Sequence, residues 1–537
     1  MTAMATVQLS PATPVLVLGL GASGLAMARW AARAGAPVRV WDSRLEPPQA
    51  AALAEQVPQA TRLVGALDAR IDDAAVVLKS PGLAPHDARI APALERARAR
   101  GARVAGELEL FADALAELRA SRDYAPKVIA VTGTNGKTTT TAMVAQLVAR
   151  TGKRVAAAGN IGPTMLQTLA DALDAGQLPE VWVLELSSFQ LDGVEGFEPT
   201  AAALLNVTED HLDWHGSMAA YAAAKARVWG MRATLVVNAD DPAVERLAAE
   251  AAAAALAPPK PSKAAKAAKG EGARPRARAS KPVPRRIVRF GLRAPRAPGD
   301  FGLVIEHGMA WLAQAVPADD APRREAGAEP GDVIVRHLMP ADALRVRGRH
   351  NAANALAALA LASAIGCPLG PLLHGLREYA GEPHRVAFVA TVGGVDAFDD
   401  SKGTNVGATV AALVGLGQDR APARLAVILG GDGKGQDFAP LADPLRRHAR
   451  AVATIGRDAL AVEKAIADAL REARVPLERH ATLEAATRWC FAQARPGDAV
   501  LLSPACASLD MFRDYAHRAE TFVAEVHAIA ADQGVLA

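Results

Sequence analysis

Short, mostly apolar runs recur along this chain of 537 residues, and each run ends in small or polar residues. Apolar runs of this kind, bounded by turn-forming residues, are typical of strands buried in parallel sheets. The runs lie at residues 15–18, 38–41, 75–78, 128–131, 154–158, 181–184, 201–205, 234–237, 395–398, 425–429 and 499–502. Helices are predicted between them, among others at 25–34, 106–120 and 352–364. The pattern therefore predicts an α/β fold.

The order of these elements predicts three domains, and the chain length fits three or four. We place an N-terminal Rossmann-like domain at 1–110, a central P-loop ATPase-type α/β domain at 111–382 and a C-terminal Rossmann-like α/β domain at 383–537. The segment GEPHR at 381–385 is the expected hinge. Ligands bind at the carboxyl ends of strands in open parallel sheets, so the polar residues there are the candidate sites.

The strongest chemical signal is the segment 128–141, with the sequence VIAVTGTNGKTTTT. It predicts a strand, a Gly-rich turn and a helix start, and the backbone N–H groups of such a turn bind phosphate. Lys137 adds a cation to this turn, and Thr138 adds a hydroxyl group. Position 131 is valine, where the common P-loop spacing has glycine. The alternative to a nucleoside triphosphate site is a tight strand-to-helix turn with an incidental lysine.

A second Gly-rich turn, GLGASG at 19–24, follows the first apolar run. Asp42 lies roughly 20 residues beyond it, where a Rossmann fold places a ribose-binding carboxylate. A dinucleotide dehydrogenase is one interpretation, but the same turn holds any diphosphate. In the third interpretation the glycines only close the turns between strands and helices.

Two residues beyond the turn 133–136, which we call the phosphate-type loop, are candidates for a magnesium site together with Thr138. Glu185 ends the run 181–184, and a magnesium ion on phosphates usually takes one or two carboxylates. His211 lies in the polar segment TEDHLDWH and is a candidate for a second metal position. For Lys225 the spacing alone favours an ordinary lysine on a helix surface.

Asn351 and Asn354 lie three residues apart near the start of the helix predicted at 352–364. Their amide groups offer donors and acceptors to a nucleotide base. Capping of the helix N-terminus is the alternative, and it competes most strongly at Asn351.

The net charge of +3 conceals an uneven distribution. Residues 258–286 carry a local charge of +9 within a basic insert at about 251–286, which leaves the rest of the chain at −6. An acidic body argues against a general nucleic-acid binder, so no nucleic-acid partner is expected. The composition of the insert predicts a disordered loop, and 317–330 reads as a second exposed loop.

The chain lacks the marks of an exported or membrane protein. Its three cysteines form neither a metal spacing nor a disulfide framework. No basic residue precedes Arg29, and no apolar run reaches the ~18 residues of a membrane helix. We therefore expect a soluble cytoplasmic protein with no membrane span.

Several motifs in order carry a family resemblance: VTGTNGKTTT, GNIG, LELSSFQLD, NVTEDHLDWHG, GRHNAANALAAL, GEPHR, DDSKGTN, LGGDGKG and LLSPACASLDMF. Together they resemble the Mur ligases, and ELSSFQLD and SPACASLD resemble the branch of this family that adds D-glutamate. The resemblance covers the chain except 251–286 and about 317–330. It implies a first domain that binds a UDP-linked substrate, a second that binds ATP and a third that binds the amino acid.

The implied reaction joins D-glutamate to UDP-N-acetylmuramoyl-L-alanine in peptidoglycan precursor synthesis, with ATP and Mg²⁺, in a monomer. The substrate carboxylate becomes an acyl phosphate, which the amine of D-glutamate attacks. Domain closure is expected to exclude water from this intermediate. In the family, the lysine that matches Lys225 is carbamylated. The modification turns a cation that would repel a metal ion into an anion.

The resemblance also implies residue roles. The catalytic set is Lys137, Glu185, His211 and Lys225, and the metal set is Thr138, Glu185, His211 and Lys225 as its carbamate. The ATP set is Gly133, Thr134, Asn135, Gly136, Lys137, Thr138, Thr139, Asn351, Asn354, Arg385 and Asp400. The UDP-substrate set is Ala22, Ser23, Asp42, Ser43, Arg44, Gly82, Asn160, Ser188 and Gln190. The D-glutamate set is Lys402, Thr404, Lys434, Ser508, Leu509 and Tyr515, where the family often has phenylalanine at the last position.

Two rival functions remain at this point. One is a folylpolyglutamate synthase or another Mur ligase, which has the same chemistry with a different acceptor. The other is a nucleotide-dependent switch, in which the loop at 133–136 senses ATP.

Overall fold

The chain folds around three β-sheets, one in each third of the sequence. The structure is a computed structural model, and it describes residues 9–67, 73–256, 284–318, 333–346 and 348–534. In this part of the chain the sheets are parallel except at one edge of the second and one edge of the third. The predicted α/β class is confirmed.

The N-terminal sheet is fully parallel, with the strand order β3-β2-β1-β4-β5. Its strands are β1 (Val15–Leu18), β2 (Val38–Trp41), β3 (Thr61–Leu63), β4 (Val76–Lys79) and β5 (Arg103–Ala105). Its helices are α1 (Ala22–Arg33), α2 (Ala50–Gln56) and α3 (Ala91–Ala99). The chain order reverses beside β1, which places a crevice at its carboxyl end, where the turn 19–24 lies.

The middle sheet has nine strands in the order β14-β13-β12-β11-β10-β9-β6-β8-β7. They are β6 (Lys127–Thr132), β7 (Val155–Gly159), β8 (Val181–Glu185), β9 (Ala201–Leu204), β10 (Thr234–Asn238), β11 (Ile287–Phe290), β12 (Phe301–Glu306), β13 (Met309–Pro317) and β14 (Val333–Pro340). The first strands are parallel, so the loops after β6, β8 and β9 meet at one edge.

Helices cover the parallel part of this sheet, and two short 3-10 turns lie at Arg227–Trp229 and Ala341–Ala343. The helices are α4 (Glu107–Arg122), α5 (Lys137–Ala149), α6 (Met165–Asp174), α7 (Ser188–Leu191), α8 (Leu212–His215), α9 (Met218–Ala226), α10 (Pro242–Leu256), α11 (Arg349–Ala364) and α12 (Leu369–Glu378). Helix α11 is alanine- and leucine-rich because it is buried against α5 and the sheet.

The C-terminal sheet has the order β15-β16-β20-β17-β18-β19, and its first strand is antiparallel to the second. The strands are β15 (Ala387–Val392), β16 (Val395–Asp399), β17 (Leu425–Gly430), β18 (Ala449–Ile455), β19 (Leu477–Arg479) and β20 (Ala499–Leu502). The helices are α13 (Val406–Asp419), α14 (Ala442–His448), α15 (Ala459–Glu472), α16 (Leu483–Gln493) and α17 (Tyr515–Asp532), with a 3-10 turn at Ala439–Leu441.

The first two domains share a hydrophobic core. Met27 of α1, Phe111 of α4 and Trp182 of β8 belong to one buried cluster, and the rings of Phe111 and Trp182 meet edge to face at 4.9 Å. Helix α4 therefore runs through residue 110, where we placed the first boundary, and the second boundary at 382 lies between α12 and β15. Both boundaries stay predictions.

The basic insert does not begin at about residue 251, as the sequence predicted. Residues 251–256 are the last turns of α10, because alanines and Leu256 continue its helical segment. The basic stretch 257–283 and most of the second predicted loop, from 319 onward, lie outside the described residues. Within the described part of the chain, no helix combines the length and apolarity needed to cross a membrane.

Candidate active site at the phosphate-type loop

The loop 133–136 connects β6 to α5, and its two glycines are needed for its shape. Gly136 is the N-cap of α5 and has φ +81°, a left-handed conformation that glycine adopts without a steric penalty. A Cβ atom on Gly136 would lie 2.6 Å from Asn354 Oδ1, and one on Gly133 would lie 3.0 Å from Leu205 Cβ. The backbone is thus packed closely while its N-terminal helix end stays available to phosphate.

Asn206, which follows β9, holds this loop in place. Its Oδ1 accepts from the backbone N–H of Asn135 at 2.8 Å, and its Nδ2 donates to the Asn135 carbonyl at 3.0 Å. Its own carbonyl accepts from the N–H of Thr134 at 3.0 Å. Asn206 was not among the predicted site residues.

The hydroxyl group of Thr134 is committed to the same loop. It donates to the Thr208 carbonyl at 3.0 Å, accepts from the Thr208 N–H at 3.0 Å and lies 3.0 Å from the hydroxyl of Tyr221. Thr134 is buried, so its side chain shapes the loop. Tyr221, on α9, was not among the predicted site residues.

Two lysines donate to one carbonyl of the loop. Gly133 O accepts from Lys137 Nζ at 3.0 Å and from Lys225 Nζ at 2.7 Å. Burial lowers the pKa of Lys137, and it lowers the pKa of Lys225 well below its usual value, where the charge of Lys137 adds to the effect. The side chain of Lys225 is buried, so the surface interpretation of this lysine is wrong.

Glu185 ends β8 beside the loop and is 1% exposed. Its Oε1 accepts from Asn160 Nδ2 at 2.8 Å, whereas Oε2 is buried with no hydrogen-bond partner among the described residues. A buried carboxylate oxygen without a partner is costly, and a hard cation satisfies it. In the described residues, no cluster of three or more His, Cys, Asp or Glu side chains is arranged to hold a metal alone.

His211 precedes α8 with φ +53°, and its ring lies 4.6 Å from that of Phe189. Burial lowers the pKa of His211, while Asp210, whose carboxylate lies 3.5 Å away, raises it. Lys137 and Lys225 are also near enough to lower this pKa. The structure therefore brings the four predicted catalytic residues together, with the imidazole biased toward its neutral, metal-binding form.

Five rings contact one another beside this site, and three of them come from Phe, Trp and Tyr, which make up only 4% of the chain. We refer to Phe189, His211, Trp214, His215 and Tyr221 as the aromatic cluster. His215 Nε2 lies 3.0 Å from Ser188 Oγ, and Ser188 is buried. Gln190 Oε1 accepts from the N–H of Ser187 at 3.0 Å and completes the cap of α7. Both predicted substrate residues thus have internal partners.

The C-terminal domain contacts the loop directly. Arg385 Nη2 donates to Thr138 Oγ1 at 3.0 Å, and Asn405 Nδ2 donates to Asn135 Oδ1 at 3.2 Å. A small cavity between the two domains is bordered by Asn135, Gly136, Thr139, Asn351, Asn354, Arg385 and Asp400. Most of the predicted ATP set is therefore brought together by the structure.

The capping interpretation of Asn351 is wrong. Helix α11 begins at Arg349 with Gly348 as its N-cap, so Asn351 and Asn354 lie inside the first turns. Both are buried, and Asn354 Nδ2 donates to Asn351 Oδ1 at 3.2 Å. Asp400 is buried across the cavity, accepts from Ser503 Oγ at 2.7 Å, and has its pKa raised to about 7 by burial.

The predicted D-glutamate residues follow three adjacent strands, β16, β20 and β17. Lys402 and Thr404 follow β16, Lys434 follows β17, and Ser508 and Leu509 follow β20, while Tyr515 begins α17. Lys402 Nζ lies 5.4 Å from the Tyr515 ring centre, and burial lowers its pKa. Lys434 and Leu509 are exposed. The sheet topology gathers these loops on one edge.

In the N-terminal domain, Asp42 closes the turn 19–24. Its Oδ2 accepts from the Leu20 N–H at 2.7 Å, and Arg44 binds both carboxylate oxygens, which lowers the pKa of Asp42. Asp42, Ser43 and Arg44 border a cavity of about 480 Å³. Ala22 and Gly82 are exposed nearby, and the hydroxyl of Ser23 contacts buried Glu107. Asn160, Ser188 and Gln190 lie apart from them, in the middle domain.

Three family models match the sequence in chain order. They are the Mur ligase MurD-like N-terminal domain at 13–106, the Mur ligase middle domain at 131–274 and the Mur ligase glutamate ligase domain at 384–506. A UDP-N-acetylmuramoylalanine–D-glutamate ligase of Albidiferax ferrireducens is 54% identical over 97% of both chains. The chain belongs to the Mur ligase family. An enzyme of the same name from Burkholderia mallei is 56% identical to this Mur ligase over 97% of its length and 98% of the relative's.

Solved structures show the same fold at much lower identity. A MurF ligase of Thermotoga maritima in complex with ADP has a TM-score of 0.55 at 15% identity, and 98% of this Mur ligase and 97% of that chain are covered. A UDP-N-acetylmuramate–alanine ligase of the same organism has a TM-score of 0.53 at 19% identity, with 96% and 99% covered. These similarities support the three-domain fold.

Proposed function

We propose that this protein is an ATP-dependent ligase that joins D-glutamate to UDP-N-acetylmuramoyl-L-alanine in peptidoglycan precursor synthesis. The observation that carries the proposal is the hydrogen bond from Arg385 to Thr138, because it places the C-terminal loops against the phosphate-type loop. The names of relatives 54% and 56% identical supply the substrates.

The reaction has two steps. The substrate carboxylate attacks the γ-phosphorus of ATP, which forms an acyl phosphate and releases ADP. The amine of D-glutamate then attacks the carbonyl carbon, loses a proton and expels phosphate. Phosphoryl transfer depends chiefly on positioning and on neutralisation of charge. Lys137 and Arg385 supply cations near Thr138, one from each domain.

The donor set fits magnesium, since Glu185 Oε2 is buried without a partner among the described residues. Thr138 and Glu185 would hold one ion beside the nucleotide phosphates. His211 and Lys225, as its carbamate, would serve a second ion. When bound, Mg²⁺ neutralises the negative charge of the phosphate groups during phosphoryl transfer. The neutral amine that burial favours at Lys225 is the form that reacts with CO₂.

The substrate contacts follow from the same arrangement. The cavity beside Asp42 and Arg44 would take the uridine end, and Asn160 would lie near the reacting end in the middle domain. Lys402 and Lys434 provide cations for the carboxylates of D-glutamate. We further propose a cytoplasmic location, because ATP is required and the three cysteines are free and buried. The family resemblance implies a monomer.

The test is ADP release by the purified protein with ATP, Mg²⁺, UDP-N-acetylmuramoyl-L-alanine and D-glutamate, with the product identified by mass. Turnover that requires both substrates is expected. Incorporation of L-lysine or diaminopimelate in place of D-glutamate would contradict the amino-acid assignment. ATP hydrolysis indifferent to both substrates would favour the nucleotide switch.

A further inference from the structure

Lys79 ends β4 and reaches across the junction of the first two domains. Its Nζ donates to the Leu83 carbonyl at 2.7 Å and contacts the Ser80 carbonyl at 3.4 Å. These carbonyls belong to the turn that carries Gly82, one of the residues predicted to contact the UDP-substrate. The ammonium group therefore fixes the shape of that turn.

The same ammonium group lies against the middle domain. Nζ is 5.6 Å from the ring centre of Trp214, which is within the range of a cation–π interaction. Trp214 belongs to α8, which begins directly after His211. The ring centres of Trp214 and Phe189 lie 4.9 Å apart. One side chain thus connects the UDP side of the molecule to the segment beside the reacting end.

Lys79 lies beside a small cavity that contains charged and polar side chains. A cavity of about 90 Å³ borders Lys79, Glu109, Gln190 and Asp192. Burial lowers the pKa of Lys79 to about 8, an effect that Asp192 and Glu109 oppose and Arg98 reinforces. The indole Nε1 of Trp214 is buried and has no hydrogen-bond partner in the described parts of the chain, so an acceptor from a bound molecule fits there.

We propose that Lys79 is a positioning residue, and that its bridge to Trp214 sets the distance between the UDP-binding turn and the reacting end. A sugar nucleotide that spans both domains must meet them in one relative position, so a bridge that fixes this position in advance strengthens its binding. The inference rests on the proposed ligase function and adds to it the contact that aligns two parts of one substrate.

The experiment compares Lys79→Met, which keeps the stem and loses the charge, with Lys79→Arg, which keeps both charge and ring contact. Lys79→Met is expected to raise KM for UDP-N-acetylmuramoyl-L-alanine about tenfold and leave KM for ATP unchanged, while Lys79→Arg stays near the parent. Lys127→Met, at an exposed lysine of β6, is the matched control. In the double variant Lys79→Met, Trp214→Leu, KM for the UDP-substrate is expected to be no higher than in the more impaired of the two single variants.

Two further readouts separate a bridge from general damage. In the parent protein, KM for the UDP-substrate is expected to rise above about pH 8, because Lys79 loses its charge there. Lys79→Arg, in which Asp192, Glu109 and Arg98 are all retained, is expected to abolish that rise. Additive effects in the double variant, or an arginine variant as impaired as the methionine variant, would overturn the bridge. Calorimetric binding of the UDP-substrate distinguishes the two proposals: a parent that binds without ligating contradicts the ligase function, and Lys79→Met that binds like the parent contradicts the bridge.

Discussion

Lys225 Nζ lies 2.7 Å from the carbonyl oxygen of Gly133, so a lysine on α9 contacts the phosphate-type loop. The contact explains how a residue that sequence spacing assigned to a helix surface belongs to the site. It also places the group whose carbamylation we propose within the reach of Lys137, Glu185 and Asp210, all of which affect its pKa.

Lys225→Ala is expected to lower ligase activity by roughly 10- to 100-fold, as for loss of a group that supports a metal. Formate or acetate is expected to restore part of that activity, because a free carboxylate can occupy the place of the carbamate. The measurement is ADP release with increasing carboxylate. Lys464→Ala, at an exposed lysine of α15, should respond to neither change. Absence of rescue, together with a bare amine at Lys225 in a bicarbonate-soaked crystal, would contradict carbamylation.

Lys137→Ala is expected to abolish ligation and leave binding of UDP-N-acetylmuramoyl-L-alanine largely intact. The reason is that Lys137 Nζ donates to the Gly133 and Thr134 carbonyls of the phosphate-type loop, whereas the turn 19–24 belongs to another sheet. Equilibrium binding of the UDP-substrate and ADP release measure the two effects separately. Loss of binding as well would show that the domains depend on each other more than we propose.

Gly136→Ala and Gly152→Ala form a matched pair, since their φ angles are +81° and +82°. Both are expected to lose about 1–2 kcal/mol of stability from the left-handed backbone. A Cβ at Gly136 also meets Asn354 Oδ1 at 2.6 Å, whereas nothing lies within 4 Å of one at Gly152. Only Gly136→Ala should raise KM for ATP, by about tenfold or more for ~1.4 kcal/mol of added cost. Equal KM values for both variants would show that Asn354 is not part of the nucleotide site.

Tyr221→Phe removes the hydroxyl that lies 3.0 Å from Thr134 Oγ1. It is expected to lower the free energy of unfolding by about 1 kcal/mol and to raise KM for ATP, because the loop loses a support. Tyr124→Phe is the control, since its hydroxyl bonds to Pro179 O and Trp182 Nε1 away from the loop. Denaturant unfolding should show similar losses for both, and steady-state kinetics should separate them. A Tyr221 variant with the parent's KM would assign its hydroxyl to stability alone.

Asp400→Asn tests the pH dependence of stability. The pKa of Asp400 is raised from its usual 3.8 to about 7, so between about pH 4 and 7 the unfolded chain binds fewer protons than the folded chain. The free energy of unfolding therefore falls as pH rises through this window, and then levels off. Asparagine does not ionise, so the variant's advantage in urea unfolding should grow over the same window. A difference that stays constant with pH would contradict the buried, protonated carboxyl group.

Much of the fold was predictable because apolar runs and Gly-rich turns report local structure. The run 128–131 and the glycines after it specify β6, the loop and the start of α5 with little help from the rest of the chain. Glu185 was predictable for the same reason, because the end of a parallel strand next to β6 must lie beside the loop.

Contacts made by side chains distant in sequence were not predictable in this way. Burial of Lys225 depends on how α9 packs under the loop, and spacing on a helix does not encode it. Asn206 lies about 70 residues from the backbone it binds, and Tyr221 lies further still. The concentration of rings at 211–221 in a chain poor in aromatics was the one signal that pointed to the cluster.

The hydrogen bonds from Asn206 give the phosphate-type loop its shape before any nucleotide arrives. In the ATP site that we propose, the nucleotide therefore binds a preformed loop and loses little affinity to the ordering of its backbone. On the side of the C-terminal domain, Arg385 donates to Thr138 and Asn405 donates to Asn135, each through a single hydrogen bond. We therefore expect the side of the proposed nucleotide site formed by the loop to stay fixed, and release of ADP to require separation of the C-terminal domain from it.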